Sequence, residues 1–234
     1  PFIPNTFNPF SIVEPVHVPP KNLSEDKLMT PDEAKALFAA AEVNQDKYHK
    51  TKQFTKRNRY MLYADLLRIY HATGARDCEL IDAQVKDFSP SVNQITLGKE
   101  KRSKKLKTPR VRQIVLGSDA AAIVAKNCKG KKPDDYIFTN CYGNKVKARA
   151  LHYRFKRIKD TVAKEKLGKV RDEITLYDFR HLWISDALRL NNTIEVVAKM
   201  AGTSISMIEK HYGHFRNAHL LEIQQAMEAS RRLA

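Results

Sequence analysis

The hydrophobic period of this chain changes twice, and that double change limits its fold more than any single motif does. Up to about residue 81 the apolar positions recur at helical spacing. Thr30 is a good N-cap, Pro31 fits the first helical position and Glu33 completes a capping box, with Leu37 and Phe38 carrying that helix to about Val43. Leu62, Leu66, Leu67 and Tyr70 predict a buried helix over 60–71. It breaks at Thr73-Gly74, and a short helix starts near Arg76 and ends around Ile81. Residues 83–88, 94–98 and 108–116 then alternate like short strands, with Val111, Ile114 and Val115 suited to a pleated surface. The charged stretch 99–107 reads as a hairpin connection. From Asp119 the period is helical again, irregular from Phe138, and helical from about Lys147. The pattern predicts an α+β chain, mainly helical, with one small antiparallel sheet.

The totals narrow the class of partner. In 234 residues the hydrophobic share is 42%, enough for a packed core, and the formal net charge is +16. So many like charges repel one another unless a polyanion relieves them, which favours nucleic acid over an acidic membrane surface. No stretch approaches the roughly 18 consecutive apolar residues of a membrane span. Cys78, Cys128 and Cys141 form no paired framework, as expected in a reducing cytoplasm. Residues 1–26, with prolines at 1, 4, 9, 15, 19 and 20, read as an interdomain linker or an extended arm. The start lacks both Met and a signal-peptide pattern, as a processed or excised chain would. Basic residues gather in three runs, from Lys47 to Arg59, from Lys99 to Arg112 and from Lys145 to Lys169, which together suit a groove that tracks phosphates. For Tyr142, Tyr153 and Phe155 near the third run, core packing is favoured over contact with sugar or bases.

Phosphodiester transfer without a metal needs fixed cations facing the nonbridging oxygens, an in-line nucleophile, and a proton for the departing oxygen. Arginine suits the first task because its planar fork binds phosphate oxygens and keeps its proton. Three segments supply candidates. Thr73-Gly74-Ala75-Arg76 projects an arginine from a turn, with Glu79-Leu80 one helical turn on. Tyr177-Asp178-Phe179-Arg180-His181 leads into Leu182-Trp183-Ile184. Ala201-Gly202-Thr203-Ser204 leads into His211-Tyr212-Gly213-His214, where Ser206 and Glu209 predict a capping box.

In this order the segments resemble the catalytic domain of tyrosine recombinases, especially phage-type integrases, over roughly residues 27–222. The resemblance implies a catalytic-domain fold with a three-stranded antiparallel sheet. Arg76 and Arg180 match the family's two arginines, and Tyr212, 32 residues after Arg180, matches its nucleophile. Lys99, 23 residues after Arg76, resembles the hairpin lysine that protonates the leaving 5′ oxygen, with Lys101 and Lys104 near enough to compete. Two positions depart from the pattern. Tyr177 stands where a histidine is usual, and Thr203 where His or Trp is usual; each hydroxyl still offers a hydrogen bond to phosphate. Nearby arginine charges are expected to lower the Tyr212 pKa and partly compensate. His181 reads as a structural hydrogen-bonding group ahead of a proton carrier, and Trp183 as core. His214 offers a further contact to the phosphate, and His211-x-x-His214 without a third ligand is a weak metal motif.

The resemblance further implies site-specific recombination of double-stranded DNA through a 3′-phosphotyrosine, by a homotetramer on two synapsed duplexes, with neither metal nor nucleotide cofactor. A catalytically impaired DNA-binding module, or a topoisomerase IB-like or hairpin-forming relative, is the alternative. Residues 27–218 are expected to form the catalytic domain, and 219–234 a C-terminal helix that docks on its own domain or a neighbouring subunit. Lacking the family's N-terminal DNA-clamping domain, the chain is expected to be a fragment, monomeric or weakly DNA-binding by itself.

Overall fold

Thr30 and Glu33 close the first helix on themselves: the Thr30 amide donates to Glu33 Oε2 at 2.8 Å, and the Glu33 amide to Thr30 Oγ1 at 3.2 Å. That reciprocal cap starts α1 (Pro31–Lys50) in the computed structural model, which describes residues 23–50, 63–98, 111–140 and 143–215, with Gln224 and Met227. The helix runs to Lys50, beyond the stop expected near Val43, so the start of the first basic run is helical. After it come α2 (Tyr63–Thr73), α3 (Asp77–Asp82), β1 (Phe88–Ser89), β2 (Gln94–Leu97), β3 (Arg112–Val115) and α4 (Ser118–Cys128). The last four elements are α5 (Ala148–Lys164), α6 (Asp178–Arg189), α7 (Ile194–Ala201) and α8 (Ile205–Tyr212).

The sheet is three-stranded and antiparallel in the order β1-β2-β3, with Ile95 opposite Ile114 and Leu97 opposite Arg112. Its first strand is shorter than the alternation over 83–88 implied. Gln84 makes only an isolated bridge to Tyr136, and Val85–Asp87 form a 3-10 turn, because the Val85 and Lys86 amides bond the carbonyls of Asp135 and Pro133. At α8 the N-cap is Ser204, whose hydroxyl accepts from the Met207 amide at 3.3 Å, and not Ser206.

Two apolar clusters divide the molecule. The larger one joins α1 to α5, the sheet and the start of α6, with Leu37, Leu66, Leu67, Ile95, Phe138 and Phe179 fully enclosed. The smaller one packs the rest of α6 (Ile184, Leu188) against Val197 and Ala201 of α7, Ile208 and Tyr212 of α8, and Phe215. Helix α6 therefore belongs to both, and Arg180 lies at the seam. Trp183 is only partly buried, against the smaller cluster; a Cβ on Gly74 would sit 2.6 Å from its indole. Phe155 is core as expected, but Tyr153 is 63% exposed, because α5 turns it away from the cluster that encloses Leu151 and Ile158.

The linker expected over 1–26 lies outside the described residues up to position 22. From Leu23 onward the chain is packed on the domain: Leu23 and Leu28 join the smaller cluster, and Arg189 Nη2 donates to Glu25 Oε1 at 2.6 Å. The tail from 219 lies outside the described residues except Gln224 and Met227, which are helical. Among the described residues no helix is long and apolar enough to cross a membrane.

Candidate active site

The Thr-Gly turn does what its composition allows. Thr73 ends α2 with its hydroxyl on the Ile69 carbonyl at 2.6 Å, and Gly74 turns the chain at φ 56°. That conformation is cheap only without a Cβ. Arg76 follows as the N-cap of α3, and its amide donates to Glu79 Oε2 at 2.9 Å. The Arg76 guanidinium is held at two points, Nη1 on Glu79 Oε1 at 2.9 Å and Nη2 on the Gly202 carbonyl at 2.7 Å.

Arg180 projects from the first turn of α6 into the seam between the clusters, 3% exposed. Nη1 donates to the Gly74 carbonyl at 2.6 Å and Nη2 to the Ala201 carbonyl at 2.7 Å. The two guanidinium groups thus grip consecutive carbonyls, those of Ala201 and Gly202, and their charges fall side by side. Burial disfavours the Arg180 cation, as do the Arg76 and Arg112 charges, although Tyr177 and Glu79 offset part of that. Its Nε is buried without a hydrogen-bond partner.

A third arginine completes this half of the site. Arg112, from the second basic run, was expected on a phosphate-tracking surface. It is instead 8% exposed, in a two-pronged pair with Glu79: Nη1 to Oε1 and Nη2 to Oε2, both at 2.7 Å. Strand β3 places it there by alternation, since Arg112 and Ile114 face inward and Gln113 and Val115 outward. Burial pushes the Glu79 carboxyl up, but the bonds and charges of Arg112 and Arg76 outweigh that and hold it below the ordinary value. Three cations around one carboxylate leave a positive excess at the mouth of the site. Gly202, at φ 65°, is packed so closely that a Cβ there would lie 2.5 Å from Arg112 Nη1.

Tyr212 ends α8 and is 6% exposed. Its hydroxyl lies 2.6 Å from Nδ1 of His181, the residue after Arg180. The expectation of a lowered pKa fails: burial pushes the phenol well above its usual value, Tyr177 and Asp178 add to that, and the Arg180 charge only partly opposes it. Burial also pushes the His181 imidazole below its ordinary value, opposed by Asp178 and reinforced by Arg180 and His211.

Tyr177 caps the start of α6 and is 45% exposed, its ring edge-on to His181 at 4.9 Å. Thr203 follows Gly202 in the turn between α7 and α8, with its amide on the Ala198 carbonyl at 3.0 Å. It lines an open groove with Gln94, Thr96, Arg112, Lys199 and Ser204. His214 packs on Phe215 at 4.1 Å with Nε2 buried and without a partner. Lys99, Lys101 and Lys104 lie outside the described residues, as does most of the hairpin between β2 and β3. Among the described residues no group of three His, Cys, Asp or Glu side chains is arranged to hold a metal.

Arg76 and Arg180 thus meet at one turn, residues 201–203, which also carries Thr203; Tyr212 and Tyr177 both contact His181, the residue after Arg180. Arg112 and the His181 contact were not foreseen. The inward phase of β3 was a signal for the first, and the position of His181 beside Arg180 a signal for the second, but neither named its partner.

The model of the phage integrase family matches residues 27–219. Among curated proteins no sequence matches. The fold is similar to XerA recombinase, with 19% identity, TM-score 0.58, and 89% of this chain and 66% of that one covered. It is similar to the Tn1549 transposon integrase (residues 82–397, Y379F) in complex with transposon right end DNA, with 19% identity, TM-score 0.61, and coverage of 88% and 66%. The catalytic domain of bacteriophage HP1 integrase aligns with 19% identity, TM-score 0.53, and coverage of 85% and 93%. The chain thus spans 66% of the XerA and Tn1549 chains but nearly all of the HP1 domain. The match over 27–219, on a fold shared with these recombinases, means that the chain belongs to the phage integrase family of tyrosine recombinases.

Proposed function

We propose that this chain is the catalytic domain of a site-specific DNA recombinase that cuts and rejoins strands through a 3′-phosphotyrosine. The observation that carries the reading is the grip of Arg76 and Arg180 on adjacent carbonyls, with Arg180 next in sequence to His181, the partner of the Tyr212 hydroxyl. Tyr212 Oη attacks the scissile phosphorus while Arg76 and Arg180 hold the nonbridging oxygens. The P–O5′ bond breaks, and Lys99 protonates the leaving oxygen. The new ester keeps the free energy of the old one, so a second 5′ hydroxyl reverses the step and reseals the strand without a nucleotide. The exposed hydroxyl of Tyr177 and the half-buried hydroxyl of Thr203 supply hydrogen bonds to the phosphate where the family has imidazole or indole.

Double-stranded DNA is the partner that the +16 charge fits, and the related Tn1549 integrase is seen in complex with transposon right end DNA. Catalysis by a homotetramer on two duplexes, with residues 219–234 docking between subunits, belongs to the same reading. Its test is a duplex carrying the protein's own site, nicked so that the cleaved 5′ end diffuses away. A covalent adduct should accumulate with the wild type and vanish with Tyr212→Phe. DNA binding without any adduct would leave only a binding module of this fold.

A further inference from the structure

We propose that His181 is the general base that takes the proton from Tyr212, a role made necessary by the tyrosine at position 177. The proposal rests on the recombinase reading above. The chemistry needs a group that touches Tyr212 Oη, accepts a proton near neutral pH, and returns it when the strand is resealed. Only the first condition is purely geometric, and His181 Nδ1 meets it at 2.6 Å. Tyr177, at the place where the family has histidine, offers a hydroxyl in place of a ring nitrogen, and no hydrogen bond joins it to Tyr212 Oη.

Several features of the site favour the imidazole. His181 is fixed on α6 directly beside Arg180, so base and phosphate clamp share one rigid helix. Facing it are Asp178 and Arg180 from its own helix, Tyr177 at that helix's start, and His211 and Tyr212 from α8. Burial outweighs Asp178 and favours the uncharged ring, in which Nδ1 has a lone pair when the ring proton is on Nε2. Burial also raises the Tyr212 phenol, so the nucleophile does not ionise unaided and a base in contact matters more.

The step balances. The Tyr212 O–H proton moves to Nδ1 as Oη forms its bond to phosphorus and the P–O5′ bond breaks; the 5′ oxygen is protonated by the separate acid. On resealing, the incoming 5′ hydroxyl gives up its proton to that acid's conjugate base, the P–Oη bond breaks, and the His181 imidazolium returns its proton to Oη. No redox partner or external nucleotide enters.

The test is single-turnover adduct formation on the nicked duplex. His181→Asn keeps an acceptor oxygen close to the Nδ1 position but removes the basicity. It should bind DNA like the wild type and slow adduct formation by roughly 10²- to 10⁴-fold. The wild-type rate should rise with pH through a midpoint below about 6.5, a rise absent from the variant. Difluorotyrosine at 212, a more acidic phenol, should narrow the His181→Asn deficit. A sulfur-for-oxygen 5′ leaving group, which needs no acid, should leave that deficit unchanged.

A variant that reacts at the wild-type rate, or a deficit that difluorotyrosine does not narrow, overturns the assignment. Should His181→Asn fail to fold, the wild type alone decides: the kinetic midpoint must coincide with the His181 titration followed by NMR, and a separation of the two overturns it. An active wild type with an unaffected variant removes the base and keeps the recombinase. A folded, DNA-bound wild type that forms no adduct removes both.

Discussion

The site has two halves built on different principles. The arginine half, α3 with β3 and the start of α6, is a closed network: every guanidinium is held by two bonds of 2.6–2.9 Å to a carbonyl or to Glu79. The tyrosine half, α8 at the edge of the smaller cluster, makes one described side-chain hydrogen bond at its reactive oxygen, with His181. The difference teaches where each half needs precision. Charge stabilisation requires cations fixed in advance, since reorienting them during the reaction costs what they would contribute. A nucleophile has to move toward phosphorus, so an anchor of one hydrogen bond and a small apolar cluster suits it.

Removing a member of the fixed half should have the largest effect. Arg180→Ala is expected to lower adduct formation by at least ~10²- to 10³-fold. It should also lower stability, because the Gly74 and Ala201 carbonyls lose their donors. Arg180→Lys should recover little, since an ammonium cannot span both carbonyls. Single-turnover rates and urea midpoints measured together check this; retention of full activity by Arg180→Lys would mean that the bidentate grip is unimportant.

Next comes the turn that positions Arg76. Gly74→Ala puts a Cβ 2.6 Å from the Trp183 indole at a backbone φ of +56°. The strain and the overpacking should cost about 2–4 kcal/mol in urea unfolding. The double variant Gly74→Ala/Trp183→Leu should regain the steric part and not the backbone part.

The halves should also separate by pH. Glu79 is held below its ordinary value when folded, so its contribution is present above about pH 4.3 and is lost as pH falls through the lower folded value. Tyr212 is shifted the other way. Its contribution is intact below about pH 10 and is lost as pH rises through its higher folded value. Hydrogen exchange should therefore loosen α3 and β3 first in acid and α8 first in base; the reverse order would break the comparison.

The smallest expected effect is at the cap of α8. Ser204→Ala removes the acceptor for the Met207 amide and should cost about 1 kcal/mol. Exchange should quicken in α8 and leave α3 unchanged.

What the sequence determined by itself was everything carried by short stretches: the cap at Thr30, the Thr-Gly break before Arg76, the alternation of β2 and β3, and the order of the two arginines and the tyrosine. These follow from local sterics and periodicity, which a few neighbouring residues settle. Only the tertiary structure decided that Arg112 serves Glu79 rather than the surface, that Gly202 is pressed against that arginine, and that His181 meets Tyr212. Each such contact joins residues 31 to 90 positions apart, and its partner is fixed by how α6, α7 and β3 bury their apolar faces. The rise in the Tyr212 pKa has the same origin, because burial is a property of the packed clusters and not of the residues next to it in the chain.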